Sequence, residues 1–541
     1  MLRFFSLTAW LPLGIACWLL SALAEHAIAD EPAQSAAQPG AGKAGLPNIV
    51  FILCDDLGYG DVRCMNPQGK IPTPAFDRIA REGMIFTDAH SGSAVCTPTR
   101  YGVLTGRYAW RSKLQRGVLG GLSPRLIEPD RMTVASLLKQ HGYHTACVGK
   151  WHLGMDWVRK PGQEVSELSI EPREQVWNVD FAQPITNGPN AVGFDYYYGI
   201  SASLDMVPYT FIENDRVTVL PTQDKAFAMN GNRARGTTRQ GPAAPGFDVD
   251  QVLPRLTEKA VAYIAERAPQ ARNGQPFFLY LPLASPHTPI APTKPWQGKS
   301  GLNLYADFVM ETDWAIGQVL EALEQHGLAE NTLVIATSDN GCSPQARMEE
   351  LKELGHNPSG IYRGHKADIY EGGHRVPFVV RWPARIKPGQ RCGQTICLTD
   401  LMATAADIVG AKLPDNAGED SVSLLPAFLG ETTKPLREAT VHHSVNGSFA
   451  IRQGKWKLAF CPGSGGWSYP RPGRDNTKEL PALQLFDLEA DPGEETNLYE
   501  KHPEVVQKLT ALMEKYVAQG RSTPGQPQAN TVKVNFRQGM E

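Results

Sequence analysis

Asn48-Ile-Val-Phe-Ile-Leu-Cys-Asp55-Asp56 is the stretch that decides the architecture. Its apolar run is short and unbroken, the pattern of a parallel strand covered on both faces. It then stops abruptly on two adjacent acids. Working outward, Thr73-Pro74 sets an N-cap and a first-turn proline for an amphipathic helix through Arg81, closed by Gly83. A second helix is expected from about Thr133 to His141, before Gly142. Further strands are expected at Tyr143–Val148, Pro276–Pro282 and Thr332–Thr337. Between the last two, Phe308, Ile316, Leu320 and Leu323 fall at helical spacing within Leu304–His326, and Gly327 ends the run. This alternation predicts an α/β fold with a large, mainly parallel sheet flanked by helices. Past about Leu436 the texture changes. Short strands at Ala450–Arg452, Trp456–Phe460 and Gln484–Leu488, with a helix near Pro503–Val517, predict a smaller C-terminal subdomain built on a short antiparallel sheet.

At 541 residues the chain is too long for one compact core, so a catalytic domain over residues 47–435 and a C-terminal subdomain over 436–541 are expected. A net charge of −3 with balanced acids and bases gives no global attraction for nucleic acid. An anionic substrate must therefore be held by local positive charge. Arg3 followed by a mostly apolar Phe4–Leu23 and then Ala27-Ile-Ala29 reads as a cleavable export signal over residues 1–29. Residues 30–46, rich in Ala, Gly, Pro and Gln, read as a flexible linker. The expected location is outside the cytoplasm (periplasmic, secreted or lumenal), with no stable membrane span after cleavage. An uncleaved anchor and a lipoprotein at Cys17 are weaker readings, the latter because the apolar stretch continues past that cysteine. The nine cysteines lack zinc-type spacing. Cys392 and Cys397 form the one close pair, and whether they are bridged stays open.

In open α/β sheets, ligands gather beyond the carboxyl ends of the strands. Four of the expected strands run into polar residues: Asp55-Asp56, Lys150 with His152, His287, and Asp339-Asn340. Any one could be an ordinary polar turn. Together they are the groups that would hold a metal and a tetrahedral anion.

Cys96-Thr97-Pro98-Thr99-Arg100 is the central motif, and alone it is only moderately specific. Thr105-Gly106 follows it, and Gly142-Tyr-His-Thr-Ala-Cys-Val-Gly149-Lys150-Trp-His152 lies downstream. In these two stretches the sequence resembles the type I sulfatases, the formylglycine-dependent group that includes arylsulfatase A and N-acetylgalactosamine-6-sulfatase. The resemblance runs from Asn48 to about Pro383 and departs from the usual C-x-P-S-R at Thr99.

The resemblance implies an alkaline-phosphatase-like fold, sulfate-ester hydrolysis and conversion of Cys96 to formylglycine by a maturing enzyme. The hydrate of that residue is a geminal diol. A sulfated diol can expel sulfate by deprotonating its second hydroxyl, whereas a sulfated serine would be a stable ester. Asp55, Asp56, Asp339 and Asn340 match the family's metal ligands. Their all-oxygen donor set favours calcium, with magnesium as runner-up. Lys150 and Lys366 match the sulfate-binding lysines and Arg100 the clamp on the formylglycine. His152 resembles the acceptor of the diol proton, and His287 the acid that protonates the leaving alcohol. For the substrate, a sulfated small molecule or glycan, Asp205 and the pair His442-His443 are candidate hydroxyl contacts, and a galactose or N-acetylgalactosamine sulfate is the expected class. The aromatic segment Phe194–Tyr198 suits either sugar stacking or the core. A phosphatase or phosphodiesterase of the alkaline phosphatase superfamily would need Ser or Thr at position 96 and further metal ligands. A non-catalytic binder of sulfated glycans would not need the intact set of matched residues.

Overall fold

The computed structural model describes residues 45–540. The expected export signal, most of the linker and Cys17 lie outside the described residues. Among those described, no helix is long and apolar enough to cross a membrane.

The opening stretch forms the strand Asn48–Cys54, buried along its whole length. Parallel strands Thr332–Ser338 and Phe277–Pro282 flank it, so it lies in the interior of the sheet. From edge to edge the ten-stranded sheet runs Gln390–Cys392, Met84–Phe86, Phe378–Arg381, Thr332–Ser338, Asn48–Cys54, Phe277–Pro282, His144–Lys150, Tyr196–Ile200, Ile212–Glu213 and Arg216–Val217. The five central strands, from Thr332–Ser338 to Tyr196–Ile200, are parallel, and antiparallel pairings appear only toward the edges.

Side-chain alternation along Asn48–Cys54 divides the core into two layers. Val50, Ile52 and Cys54 pack with the helices Pro74–Glu82, Val252–Arg272 and Leu304–Gln325. Ile49, Phe51 and Leu53 pack with Cys96–Thr105, Val134–Gln140 and Leu401–Val409. Burial on both faces is why the strand carries no polar alternation. Each fully buried aliphatic side chain of this kind contributes about 1.5–3 kcal/mol.

C-terminal to this sheet, Thr440–His443, Phe449–Gln453, Trp456–Ala459 and Gln484–Asp487 pair antiparallel in chain order. The helix Pro503–Gln519 covers them with Leu509, Leu512, Met513 and Tyr516. Tyr108 and Trp110, far earlier in the chain, belong to the same apolar cluster. Cys392 and Cys397 are both free thiols. Each sits on a different sheet, the first paired with Met84–Phe86 and the second with Ala89–His90. Phe194, Tyr197 and Tyr198 are buried and Tyr196 is half-buried against Tyr263, so that aromatic segment is mainly core.

Candidate active site

The carboxyl ends of the central strands bring the polar groups together. Asp55 and Asp56 follow one strand and Asp339-Asn340 the next, tied by the Asp56 N–H donating to Asp339 Oδ1 at 3.2 Å. Lys150 closes a third strand, and its Nζ reaches Asp55 Oδ2 at 2.6 Å. Lys366 Nζ reaches Asp56 at 2.7–2.8 Å. Arg100, fully buried, donates from Nε and Nη2 to Asp339 Oδ2 at 3.1 and 2.8 Å, and from Nη1 to the Lys150 carbonyl at 3.0 Å. Three carboxylates are thus matched by three cations at one end of the sheet.

Among the four residues matched as metal ligands, Asp55 Oδ1 and Asn340 Oδ1 are buried without a partner. The Asn340 amide nitrogen is engaged, donating to Asp56 Oδ1 at 2.7 Å, so its oxygen is the free end. Buried acceptors left unpaired cost about 1–3 kcal/mol each, and a bound cation is the usual compensation. Asp55, Asp56 and His287 also place ligand atoms within 4.8 Å of one another. Asp55, Asp56, Asp339 and Asn340 therefore suit a hard divalent ion. Burial pushes the Asp55 carboxyl up, but Lys150, then His287, Arg100 and Lys366, hold it well below the usual range. Asp339 is raised by burial and by repulsion from Asp55.

Cys96 is the first residue of the helix Cys96–Thr105, not part of an open turn, and it is buried. Pro98 in the first helical turn was the available signal, since that turn needs no N–H from it. Burial raises the Cys96 thiol, while the charges of Lys150 and Lys366 pull it down. His152 donates from Nε2 to the Leu119 carbonyl at 2.8 Å and leaves Nδ1 without a partner. Burial, then Lys150, holds it well below the usual histidine range, so it stands neutral with a free lone pair. His287 Nδ1 faces the Thr288 carbonyl at 2.6 Å, and its Nε2 lies 3.6 Å from Asp56 Oδ2. Asp56 and His152 both hold positive φ, at 65° and 56°, strain of the kind that gathers at functional sites. The Leu119 carbonyl that fixes the His152 tautomer carries no signal in sequence.

The structure does not bring the substrate-contact candidates together. Asp205 pairs with Arg239 at 2.6 Å, and its Oδ1 has no partner. His442 is fully buried between His374 and Ser91, and His443 is buried against Phe449. Neither histidine faces a substrate. Both sit on the strand Thr440–His443, whose residues are all buried.

Residues 47–411 match the family model described as Sulfatase. The chain is 35% identical over 505 residues to an N-acetylgalactosamine-6-O-sulfatase of Bacteroides thetaiotaomicron, spanning 86% of this chain and 92% of that protein. It is 33% identical over 483 residues to arylsulfatase A of Homo sapiens, spanning 86% and 87%. A solved Bacteroides thetaiotaomicron chain, described in connection with the metabolism of multiple glycosaminoglycans, superposes with a TM-score of 0.73 at 33% identity, over 87% of this chain and 99% of that one. The phosphatase and non-catalytic alternatives are set aside by these matches. With residues 47–411 matched by that family model and two relatives above 30% identity along most of both chains, the chain belongs to the type I sulfatase family and is a sulfuric ester hydrolase.

Proposed function

We propose that the chain removes sulfate from a sulfated sugar, a galactose or N-acetylgalactosamine ester, using a formylglycine made from Cys96 and a calcium ion held by Asp55, Asp56, Asp339 and Asn340. The observation that carries this reading is the placement of Cys96. It is buried at the start of a helix that also carries Arg100, and it feels the charges of Lys150, Lys366, Asp55 and Asp339, the groups whose own contacts assemble the strand-end cluster.

The hydrated aldehyde supplies two hydroxyls, one to attack sulfur and one whose deprotonation later expels sulfate. A bound divalent ion lowers the nucleophile's pKa and offsets sulfate charge. The chain's own residues do the rest. Lys150 and Lys366 meet the sulfate oxygens, and the N-terminus of the Cys96 helix adds its own positive end. Arg100, clamped on Asp339, fixes the geometry around residue 96. Neutral His152, with Nδ1 free, is suited to take the second hydroxyl's proton. His287 is suited to deliver a proton to the departing alcohol. Asp205 Oδ1 is a candidate acceptor for a sugar hydroxyl, whereas His442 and His443 are not retained. Export after removal of residues 1–29 belongs to the same proposal.

Mass analysis of the peptide around Cys96, from a host that matures sulfatases, tests the reading together with a desulfation screen on sulfated saccharides. The expected result is a loss of thiol mass at residue 96 and release of sulfate that stops on chelation and returns with calcium. An unmodified thiol in active enzyme overturns it.

A further inference from the structure

Trp467 and Tyr469 are the two aromatic side chains among the described residues that stand largely in solvent, at 40% and 74% exposure. Large exposed rings two residues apart are a poor choice for a surface that meets only water. Their loop is nevertheless firmly held. The N–H groups of Trp467 and Ser468 both donate to Asp368 Oδ1, at 2.7 and 3.0 Å. The Ile369 N–H donates to the Ser464 carbonyl at 2.8 Å. Gly466 lies so close to the neighbouring backbone that a Cβ there would stand 2.4 Å from the Ala367 carbonyl oxygen, so no larger residue fits without displacing the loop.

The segment that grips the loop is the one that carries Lys366. The Lys366 N–H donates to the Cys342 carbonyl at 2.9 Å, and the Ala367 N–H to the Ala94 carbonyl at 2.8 Å. One short stretch therefore touches the loop behind the Asp339-Asn340 ligands, the loop before Cys96, and the aromatic loop. Beside it opens a cleft of about 730 Å³, lined by Arg347, Glu349, Glu350, Glu353, His365 and Tyr469 among others, with Trp467 on the same loop but outside that lining. That volume suits a small ligand or a short saccharide.

We propose that Trp467 and Tyr469 form a stacking platform for the sugar ring next to the sulfated one, so that they set preference for an extended saccharide over a single sugar. Aromatic faces are apolar bodies that pack against the C–H face of a pyranose, while the polar cleft wall meets its hydroxyls. The Asp368 clamp fixes the platform relative to Lys366, which couples the position of the remote ring to the position of the sulfate. This inference rests on the carbohydrate reading above and specifies where the rest of that substrate lies.

The test compares kcat/KM for three substrates: nitrophenyl sulfate, the 6-sulfated N-acetylgalactosamine monosaccharide, and an oligosaccharide ending in that same sugar. For Trp467→Ala and Tyr469→Ala, the ratio of oligosaccharide to monosaccharide turnover should fall by about tenfold per ring, the effect of losing one well-stacked aromatic, and mainly through KM. Trp467→Phe should keep most of the ratio, because the stacking face survives. Equal losses on all three substrates would assign the loop a structural role and overturn the platform, as would an unchanged ratio in a wild-type background that hydrolyses the oligosaccharide. Wild-type enzyme that cleaves nitrophenyl sulfate but no sulfated saccharide instead overturns the carbohydrate reading itself, and the platform with it. Thermal melting of each variant separates these outcomes from misfolding.

Discussion

Two buried polar clusters face each other in kind. One is the candidate catalytic group of Asp55, Asp56, Asp339, Asn340, Arg100, Lys150, His152 and Lys366. The other joins His90, His374 and His442 to Asp88, Glu371, Lys457 and Arg452. Both exclude solvent, and both gather enough ligand atoms to suggest a metal. Their accounting differs. Every ring nitrogen of the three histidines has a polar neighbour within 3.2 Å. The His374 and His442 rings stack at 3.8 Å with an 8° tilt, so their in-plane lone pairs cannot converge on one ion. The catalytic cluster leaves Asp55 Oδ1, Asn340 Oδ1 and His152 Nδ1 unpaired and holds two residues at positive φ. A satisfied buried network specifies a fold, and an unsatisfied one is waiting for something. Here the satisfied network lies at the seam where Lys457 and Arg452 of the C-terminal sheet meet Glu371 and Asp88.

That contrast predicts opposite responses to mutation. Cys96→Ala should cost on the order of 10⁴-fold or more in sulfate-ester turnover, the penalty for removing a covalent nucleophile. Its melting temperature should hardly move. His287→Ala should lower hydrolysis of a sugar sulfate by about 10²–10⁴-fold, the range of general-acid help. Nitrophenyl sulfate, whose leaving group needs little protonation, should suffer far less, and equal losses on both substrates would refute the assignment. Lys457→Met should do the reverse. It removes the ammonium that meets two buried carboxylates, Glu371 at 3.1 Å and Glu494 at 2.8 Å, at a cost of about 3–5 kcal/mol in stability. Turnover per folded molecule should survive. A variant that melts normally but fails in catalysis would erase the distinction between the clusters.

Much of this was legible in sequence because the informative residues sit where strands end. The Asn48–Cys54 strand, the helices at Pro74–Glu82 and Leu304–Gln325 and the C-terminal strands other than Thr440–His443 follow from apolar spacing and from Gly and Pro punctuation. The helix Val252–Arg272 did not emerge, although Leu253, Leu256, Ala260 and Ile264 carry its stripe, because Pro254 and Pro269 lie inside its bounds and obscure the pattern. Asp55, Asp339 and Lys150 were readable as strand-end polars. The fate of His442 and His443 was not. A histidine pair looks the same whether it faces a sugar or a buried Glu–Lys network, and only the burial of Thr440–His443 decides it. The platform loop was silent for a related reason. Trp467 and Tyr469 gain meaning from Asp368, which lies about a hundred residues away in the chain.

The histidine seam makes one further claim that pH can test. Burial, then like-charged neighbours, holds His374 and His442 well below the usual range, and burial alone brings His443, which lies next in the chain but outside that satisfied network, down to about 4. In the unfolded chain these residues take up protons near pH 6.5, while the folded chain refuses them until far lower. At these histidines the unfolded state thus binds more protons across that window, and their contribution to stability falls as pH drops from about 6.5, by up to about 1.4 kcal/mol per pH unit per histidine. Glu371 and Asp88, held low after burial by Lys457 and Arg375, add their losses only below the ordinary carboxylate range, near pH 4. Asp313, Asp339 and, within the seam itself, Glu494 oppose the trend, because burial above all raises each carboxyl to about 7 and the folded state takes up those protons first. The raw melting profile therefore mixes signs, and the slope has to be isolated by difference. His442→Gln, which cannot titrate, should melt lower than wild type at pH 7.5 but lose less on acidification to pH 5. Parallel profiles for the two proteins would mean that the seam does not refuse protons and that its histidines are poised like ordinary ones.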